Sequence, residues 1–277
     1  GICIRLYDEA DFNGRPRFTD PEILRSSLAG VILRMKSLHL GVVDDFPFLE
    51  RPSSRAIADG YQLLNELGAV DDANELTPTG RELSKLPLDP RVGRMILEAR
   101  ARESLDEVLV IASALSVQDV RDRPMDMQAQ ADQAHAKFDD DRSEFSGYLT
   151  LWKWINDAKG GEGTHKLSNR QYEQLLRQNF INIRRVREWR DIYSQLLTVV
   201  KEQQWQINTQ PASYEAVHLS MLCGLLGNIG FKGEESEAYL GAHGIKFHPH
   251  PGAHLSKKPG RWIVAAEQVE TSRLYGR

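Results

Sequence analysis

The spacing of apolar positions changes character several times along the chain, and the changes divide it. Residues 2–7 (ICIRLY) alternate, as a short half-buried strand does. From residue 20 the period becomes helical. Asp20 can cap, Pro21 stands in the first turn where its missing N–H costs nothing, and Ile23, Leu24, Leu28, Val31, Ile32, Met35 and Leu38 follow at three- and four-residue steps, with Gly41 as a stop. Ser53 caps a second helix that carries Ile57, Tyr61, Leu64 and Leu67 and ends at Gly68. Residues 69–70 and 76–77 then flank a polar turn (Asp71, Asp72, Asn74) and predict a small hairpin. Helix, helix and hairpin in this order are the outline of a winged helix.

Pro87 and Pro90 mark a boundary, after which the pattern is almost wholly helical to about residue 205. Ser104 and Glu107 have capping-box spacing ahead of the apolar run 108–117. Residues 120–144 are polar and charged. A helix over 148–155 leads to Gly160, Gly161 and Gly163, read as a flexible connection, and Ser168 can cap the next helix. Phe180, Ile183, Val186, Tyr193, Leu196, Leu197 and Val200 predict one long helical stretch. After a short apolar helix (217–226), five strand-like pieces (229–231, 238–240, 245–247, 262–266 and 273–275) are separated by Gly and Pro, which suits a small barrel.

Composition sharpens this only locally. The 277 residues are 41% hydrophobic, enough for more than one core, and the 27% charged residues nearly cancel at a net −4. The two cysteines, Cys3 and Cys223, stand far apart, against a disulfide framework or a cysteine zinc site and in keeping with a reducing cytoplasm. No apolar run is long enough to span a bilayer, so no membrane partner is expected. The chain begins at Gly rather than Met and leads straight into an apolar segment, so it reads as part of something longer.

Three groups of residues invite a chemical reading. Asp8-Glu9-Ala10-Asp11 spells a helicase signature, but such a box holds Mg²⁺ only beside a phosphate-binding loop, and no Gly-x4-Gly-Lys-Ser/Thr occurs. The chain alone is therefore expected not to hydrolyse ATP, and no catalytic residue is assigned. His248, His250 and His254 approach metal-ligand spacing, yet two of them flank prolines and no cysteine or carboxylate lies close in sequence; loop histidines are the favoured reading. Two stretches are basic: 170–190 has six arginines against two glutamates, and 246–277 has six Lys or Arg against two glutamates, with Trp189 and Trp262 among them. Cations with aromatics suit phosphates and bases. A plain solvated helix face accounts for the first stretch, where Arg187 can pair with Asp191.

The segments FTDPEILRSSLAGVILRMKSLHLG (18–41), DDFPFLERP (44–52), LTPTGRELSKLPLDPRVGRMI (76–96) and the final 238–277 resemble, in order and spacing, the region that follows the motor of DEAH-box RNA helicases. The Lys-Lys-Pro and Val-Glu-Thr-Ser-Arg wording is most similar to the bacterial HrpA type. The resemblance covers essentially the whole chain. It implies that residues 1–18 are the tail of the second RecA-like motor domain, 19–86 the winged helix, 87–207 a helical ratchet domain and 208–277 an OB-fold. The implied fold class is α+β, mostly α: winged helix, helical ratchet-like bundle and C-terminal OB-like β-barrel. It further implies single-stranded RNA, with DNA as the alternative, and the motor domains as partners, with ATP and Mg²⁺ held by the motor and no cofactor here. Asn179-Phe180-Ile181-Asn182 matches the family's ratchet motif, followed by Arg184 and Arg185. His250 matches a His-Pro-Ser-Ser motif whose serines are Gly252 and Ala253 here. With the basic C-terminal positions, the candidate nucleic-acid-binding residues are Asn182, Arg184, Arg185, His250, Lys257, Lys258, Arg261 and Arg273. Two other classes stay open: a winged-helix regulator of duplex DNA, disfavoured because Arg55 is the only base in 54–67, and a protein-docking module.

Overall fold

The computed structural model describes residues 2–277 except Cys3, Arg17, Ser26, 161–165 and Glu235, with Arg25 described in its backbone only. The expectations placed on Cys3, Gly161 and Gly163 lie outside the described residues. The helices are α1 Glu9–Gly14, α2 Glu22–Arg25, α3 Ala29–Ser37, α4 Ser54–Glu66, α5 Pro78–Ser84, α6 Pro90–Ala101, α7 Leu105–Leu115, α8 Gln128–His135, α9 Glu144–Ala158, α10 Asn169–Gln178, α11 Ile183–Glu202 and α12 Tyr214–Leu222. The strands are β1 Ile229–Phe231, β2 Tyr239–Leu240, β3 Lys246–Pro249, β4 Trp262–Val264, β5 Gln268–Glu270 and β6 Leu274–Gly276. None of the described helices is long and apolar enough to cross a membrane.

The strand expected over 2–7 does not form. Its apolar side chains Ile2, Ile4 and Leu6 stand in solvent, and none of the described strands pairs with it, so the alternating pattern has no ladder to join. The helix expected from residue 21 to Gly41 is two pieces, α2 and α3. The α3 stop is His39, not Gly41: His39 takes a left-handed φ of 55°, and the Leu40 N–H reaches back to the Met35 carbonyl, closing a Schellman turn. The α4 cap by Ser53 forms as the sequence predicts, with Gly68 at φ 70° closing the far end. The expected hairpin shrinks to one bridge, Val70↔Leu76, and is followed by α5, capped by Thr77 with Pro78 at its start, which the periodicity did not indicate.

Leu28, Ile32, Leu33, Ile57, Leu64 and Leu83 form the winged-helix core, and Leu97 from α6 and Val199 from α11 complete it. The winged helix is thus welded to the helical body. That body is built around α7, whose residues Val108 to Ala114 are all buried. Trp189 of α11 donates its indole N–H to the Val110 carbonyl and the Ser113 hydroxyl, which fixes the α7–α11 crossing. The expected capping box at α7 is absent. Ser104 turns inward to bond Ser220, and the helix start is capped across the chain by Asn208, which accepts from the Asp106 N–H and donates to Glu107. The long helical stretch expected over 180–200 forms as α11 but starts only at Ile183, because Phe180 adopts a φ of 53° in the turn between α10 and α11. Ser168 and Gln171 do form the capping box of α10. Helix α12, expected within the last domain, packs through Val217 and Met221 into the same core as α6 and α7.

The C-terminal strands form one curled mixed sheet of six strands, ordered β4-β1-β2-β3-β6-β5, where five were expected; β5 is the addition. All pairs are antiparallel except β3–β6. β4 and β5 end the order on opposite sides yet are separated by only 265–267, so the sheet curls on itself as a half-barrel. Tyr239, Phe247 and Ala265 fill its inside. Glycine is required at residues 230 and 276: a Cβ at either would stand 2.5 or 2.7 Å from the Phe247 ring.

Candidate nucleic-acid interface

The break between α10 and α11 is held by a second chain segment. Residues 120–122 run antiparallel to 180–182: Arg121 bridges Ile181, the Asp122 N–H donates to the Phe180 carbonyl at 2.8 Å, and the Asn182 N–H donates to the Val120 carbonyl at 2.8 Å. His135, at the end of α8, donates Nε2–H to the same Phe180 carbonyl at 3.1 Å. Burial holds the His135 imidazole below the ordinary histidine range, so it is the neutral ring that makes this contact.

Asn182 sits at the start of α11, and both ends of its amide are engaged within the protein. Oδ1 accepts from the Arg184 and Arg185 N–H groups at 3.1 and 3.2 Å, and Nδ2 donates to Asp122 at 3.2 Å. Arg185 is half-buried and reaches the Asp119 carbonyl and the Asp122 carboxylate, both at 2.9 Å. Arg184 is exposed and its guanidinium makes no ion pair among the described residues. Next to this turn, Asp119 holds Arg121 through two oxygens, and Arg277 approaches from the sheet at 3.6 Å. Burial alone raises a carboxylate pKa, but here the Arg121 charge and hydrogen bonds outweigh it and the Asp119 pKa falls. The nearby Tyr148 phenol is pushed up to about 12 by burial and by the Asp119 charge. Arg187 pairs with Glu173 at 3.0 Å rather than with Asp191, because the break in the helix turns α10 beside α11.

On the sheet, the 250–258 loop docks against the helical body. The His254 ring lies between Asp139 (3.2 Å) and Asp141 (3.0 Å), and its backbone N–H donates to Glu144 at 3.0 Å. The carboxylates absent near these histidines in sequence are supplied in space, more than a hundred residues away. Among the described residues no three His, Cys, Asp or Glu groups are placed to hold a metal ion. His250 accepts from the Gly252 N–H at 3.1 Å and stands edge-on to Tyr275. Lys257 and Lys258 are exposed, and the Lys257 charge acts on Asp132 of α8, which pairs with Arg123. Arg261 lies over the Phe231 ring and Arg273 is exposed at the β5–β6 turn.

The eight candidates thus fall in three places. Asn182, Arg184 and Arg185 border residues 119–135 from one side, and His250, Lys257 and Lys258 lie in the loop docked against residues 132–144. Arg261 and Arg273 stand elsewhere on the sheet. Asn182 and Arg185 face inward partners, whereas Arg184, Lys257, Lys258 and Arg273 present charge to solvent. Sequence reading did not single out Arg123, and counted Arg277 in the basic stretch without making it a candidate; their partners Asp132 and Asp119 had no local signal. Asp8–Asp11 do not fit a Mg²⁺ box: Asp8 caps α1 by accepting the Asp11 N–H, and Asp11 pairs with Arg15 at 2.6 Å.

A winged helix sharing its core with a helical body, and a curled sheet docked on that body, define the class. Residues 61–88 match the helicase associated domain (HA2), winged-helix, and residues 89–150 the helicase associated domain (HA2), ratchet-like. The whole chain is 49% identical to the ATP-dependent RNA helicase HrpA of Escherichia coli and 44% identical to the HrpA homolog of Haemophilus influenzae. Over 99% of its length it is 29% identical to the DExH-box ATP-dependent RNA helicase DExH1 of Arabidopsis thaliana. It spans 21% of each bacterial relative and 28% of the plant one. The chain therefore carries the helicase-associated winged-helix and ratchet domains, and along its whole length it is similar to one region of the HrpA-type RNA helicases.

Proposed function

We propose that this chain grips single-stranded RNA and closes the RNA path over the motor domains of an ATP-dependent helicase. The observation that carries the reading is the border of the 119–144 segment, where the exposed Arg184 on the ratchet side and Lys257 and Lys258 on the sheet side flank one stretch of chain. Exposed cations on both sides of one segment suit a flexible polyanion better than a rigid duplex groove. The six-stranded half-barrel, with β4 and β5 near-continuous in sequence, supports an OB-like assignment for the sheet. ATP and Mg²⁺ chemistry is assigned to the motor, since no phosphate-binding loop occurs in this sequence.

The motor domains of the same protein are the second partner in this reading. Phe18, Val31, Leu38, Leu40 and Leu49, all in or beside the winged helix, leave apolar surface in solvent that fits a protein neighbour. A duplex-DNA regulator is disfavoured because α4 carries Arg55 as its only base. Fluorescence anisotropy with labelled single-stranded RNA, single-stranded DNA and duplex at 50 and 200 mM salt tests the proposal. About four phosphate contacts predict roughly 50-fold weaker single-strand binding at the higher salt. A flat salt response, or preference for duplex, overturns it, and RNA-stimulated ATP turnover by this chain overturns the assignment of chemistry to the motor.

A further inference from the structure

Paired residues on neighbouring strands put their side chains on the same side of a sheet. The pairs Phe231↔Trp262, Ile229↔Val264, Phe231↔Leu240 and Leu240↔Lys246 therefore place five apolar side chains and one lysine on the outer face, opposite buried Tyr239 and Phe247. Trp262 is 68% exposed, with Leu240 and Val264 also open to solvent beside it. An indole left this open forgoes the largest apolar burial any side chain offers. Yet it is not loose: its ring packs on Phe231 with centroids 4.6 Å apart, and the Arg261 guanidinium stands 5.3 Å from the centre of the Phe231 ring.

The surrounding charge says what such a face would meet. Arg261, Lys232 and Lys246 make no ion pair among the described residues. Arg261 and Lys232 line an open recess of about 360 Å³ with Gly233, Glu234, Pro259 and Gly260. Glu234 is the one carboxylate among the described lining residues, and the sequence has Glu235 and Glu237 after it in the β1–β2 connection, beyond the strands themselves. Unneutralised cations fixed beside an aromatic surface complement a ligand with flat faces and regularly spaced negative charge. Building on the RNA-gripping reading, we infer that Trp262 is a stacking platform for a base of single-stranded RNA, with Arg261, Lys232 and Lys246 meeting the flanking phosphates.

The test compares wild type, Trp262→Ala and Trp262→Phe for binding to a labelled oligouridine 12-mer and to the same sugar-phosphate backbone without bases, by anisotropy at 50 mM salt. Stacking predicts that Trp262→Ala weakens oligouridine binding about tenfold, that Trp262→Phe restores most of it, and that the abasic strand binds wild type and Trp262→Ala alike. Far-UV circular dichroism and the melting temperature of the variants serve as the folding check; Trp262 is exposed, so both should match wild type. Unchanged oligouridine affinity in Trp262→Ala, with wild type still binding in a salt-dependent way, overturns the platform alone and leaves the face to a protein partner. Equal weakening on both strands overturns it too, because the base then contributes nothing. Failure of wild type to bind either strand removes the RNA-gripping reading and this inference with it.

Discussion

Asn182 is polar, sits in the stretch that resembles the ratchet motif, and uses both ends of its amide inside the protein. It accepts two α11 N–H groups and donates to Asp122. Replacing it with alanine should cost about 1–2 kcal/mol through the lost cap and the lost hydrogen bond to Asp122, read as a lower urea midpoint. Asn182→Asp should fall between the two, since it keeps the capping oxygen but sets a second carboxylate against Asp122. A variant as stable as wild type would free Asn182 for a direct ligand role. Arg184, two residues on, has the opposite character, exposed and unpaired among the described residues. The motif was legible in the sequence; which of its members turns outward was not, because that depends on Asp119 and Asp122, some sixty residues away.

Helix starts divide by whether their cap is local. The Ser53 and Ser168 caps are legible in the sequence because the capping partner lies three residues on, within reach of any chain that turns into a helix there. Ser104 and Glu107 have the same spacing but different roles, since both are claimed by groups about a hundred residues downstream. Asn208 binds the Asp106 N–H and both Glu107 oxygens, and the Ala212 N–H adds another bond. Asn208→Ala should therefore destabilise the chain by about 1–3 kcal/mol, more than Glu107 loses in an ordinary exposed capping box. Equilibrium denaturation of Asn208→Ala, Glu107→Ala and the double variant checks this: strong non-additivity is expected, and additive losses would mean the contact is not shared. The β5 strand and α5 escaped the sequence reading for a related reason. Each is short, and each is fixed by what it packs or pairs against rather than by its own period.

The whole molecule is held together by contacts between segments that the sequence keeps apart. His254 with Asp139 and Asp141, and Arg277 with Asp119, fasten the sheet to the helical body, and Glu66 with His243 fastens it to the winged helix. Inside the body, His135 and His218 join distant elements as neutral rings. His218 donates to the Tyr214 carbonyl and accepts from Ser143. Burial is the main cause that lowers both pKa values below 6.5. The unfolded chain therefore takes up protons first as the pH falls, so the stabilisation is complete above about pH 6.5 and declines below it. The melting temperature at pH 7.5 should exceed that at pH 5.5, and replacing both histidines with glutamine should narrow the gap. An unchanged gap would place the proton uptake elsewhere.

The sequence by itself determined the order of the elements, the caps at Ser53 and Ser168, all five expected C-terminal strand positions to within a residue or two, and kinship with a helicase-associated region. These are properties of local period and of motifs in order, which survive without knowledge of the fold. Tertiary structure alone decided that residues 2–7 pair with none of the described strands, that Phe180 stands in a turn ahead of α11, that α12 belongs to the helical core, and that Arg185 faces inward while Trp262 faces out. The reason is physical. A side chain's direction is set by the partners that neutralise or cover it, and here those partners come from segments dozens to more than a hundred residues away.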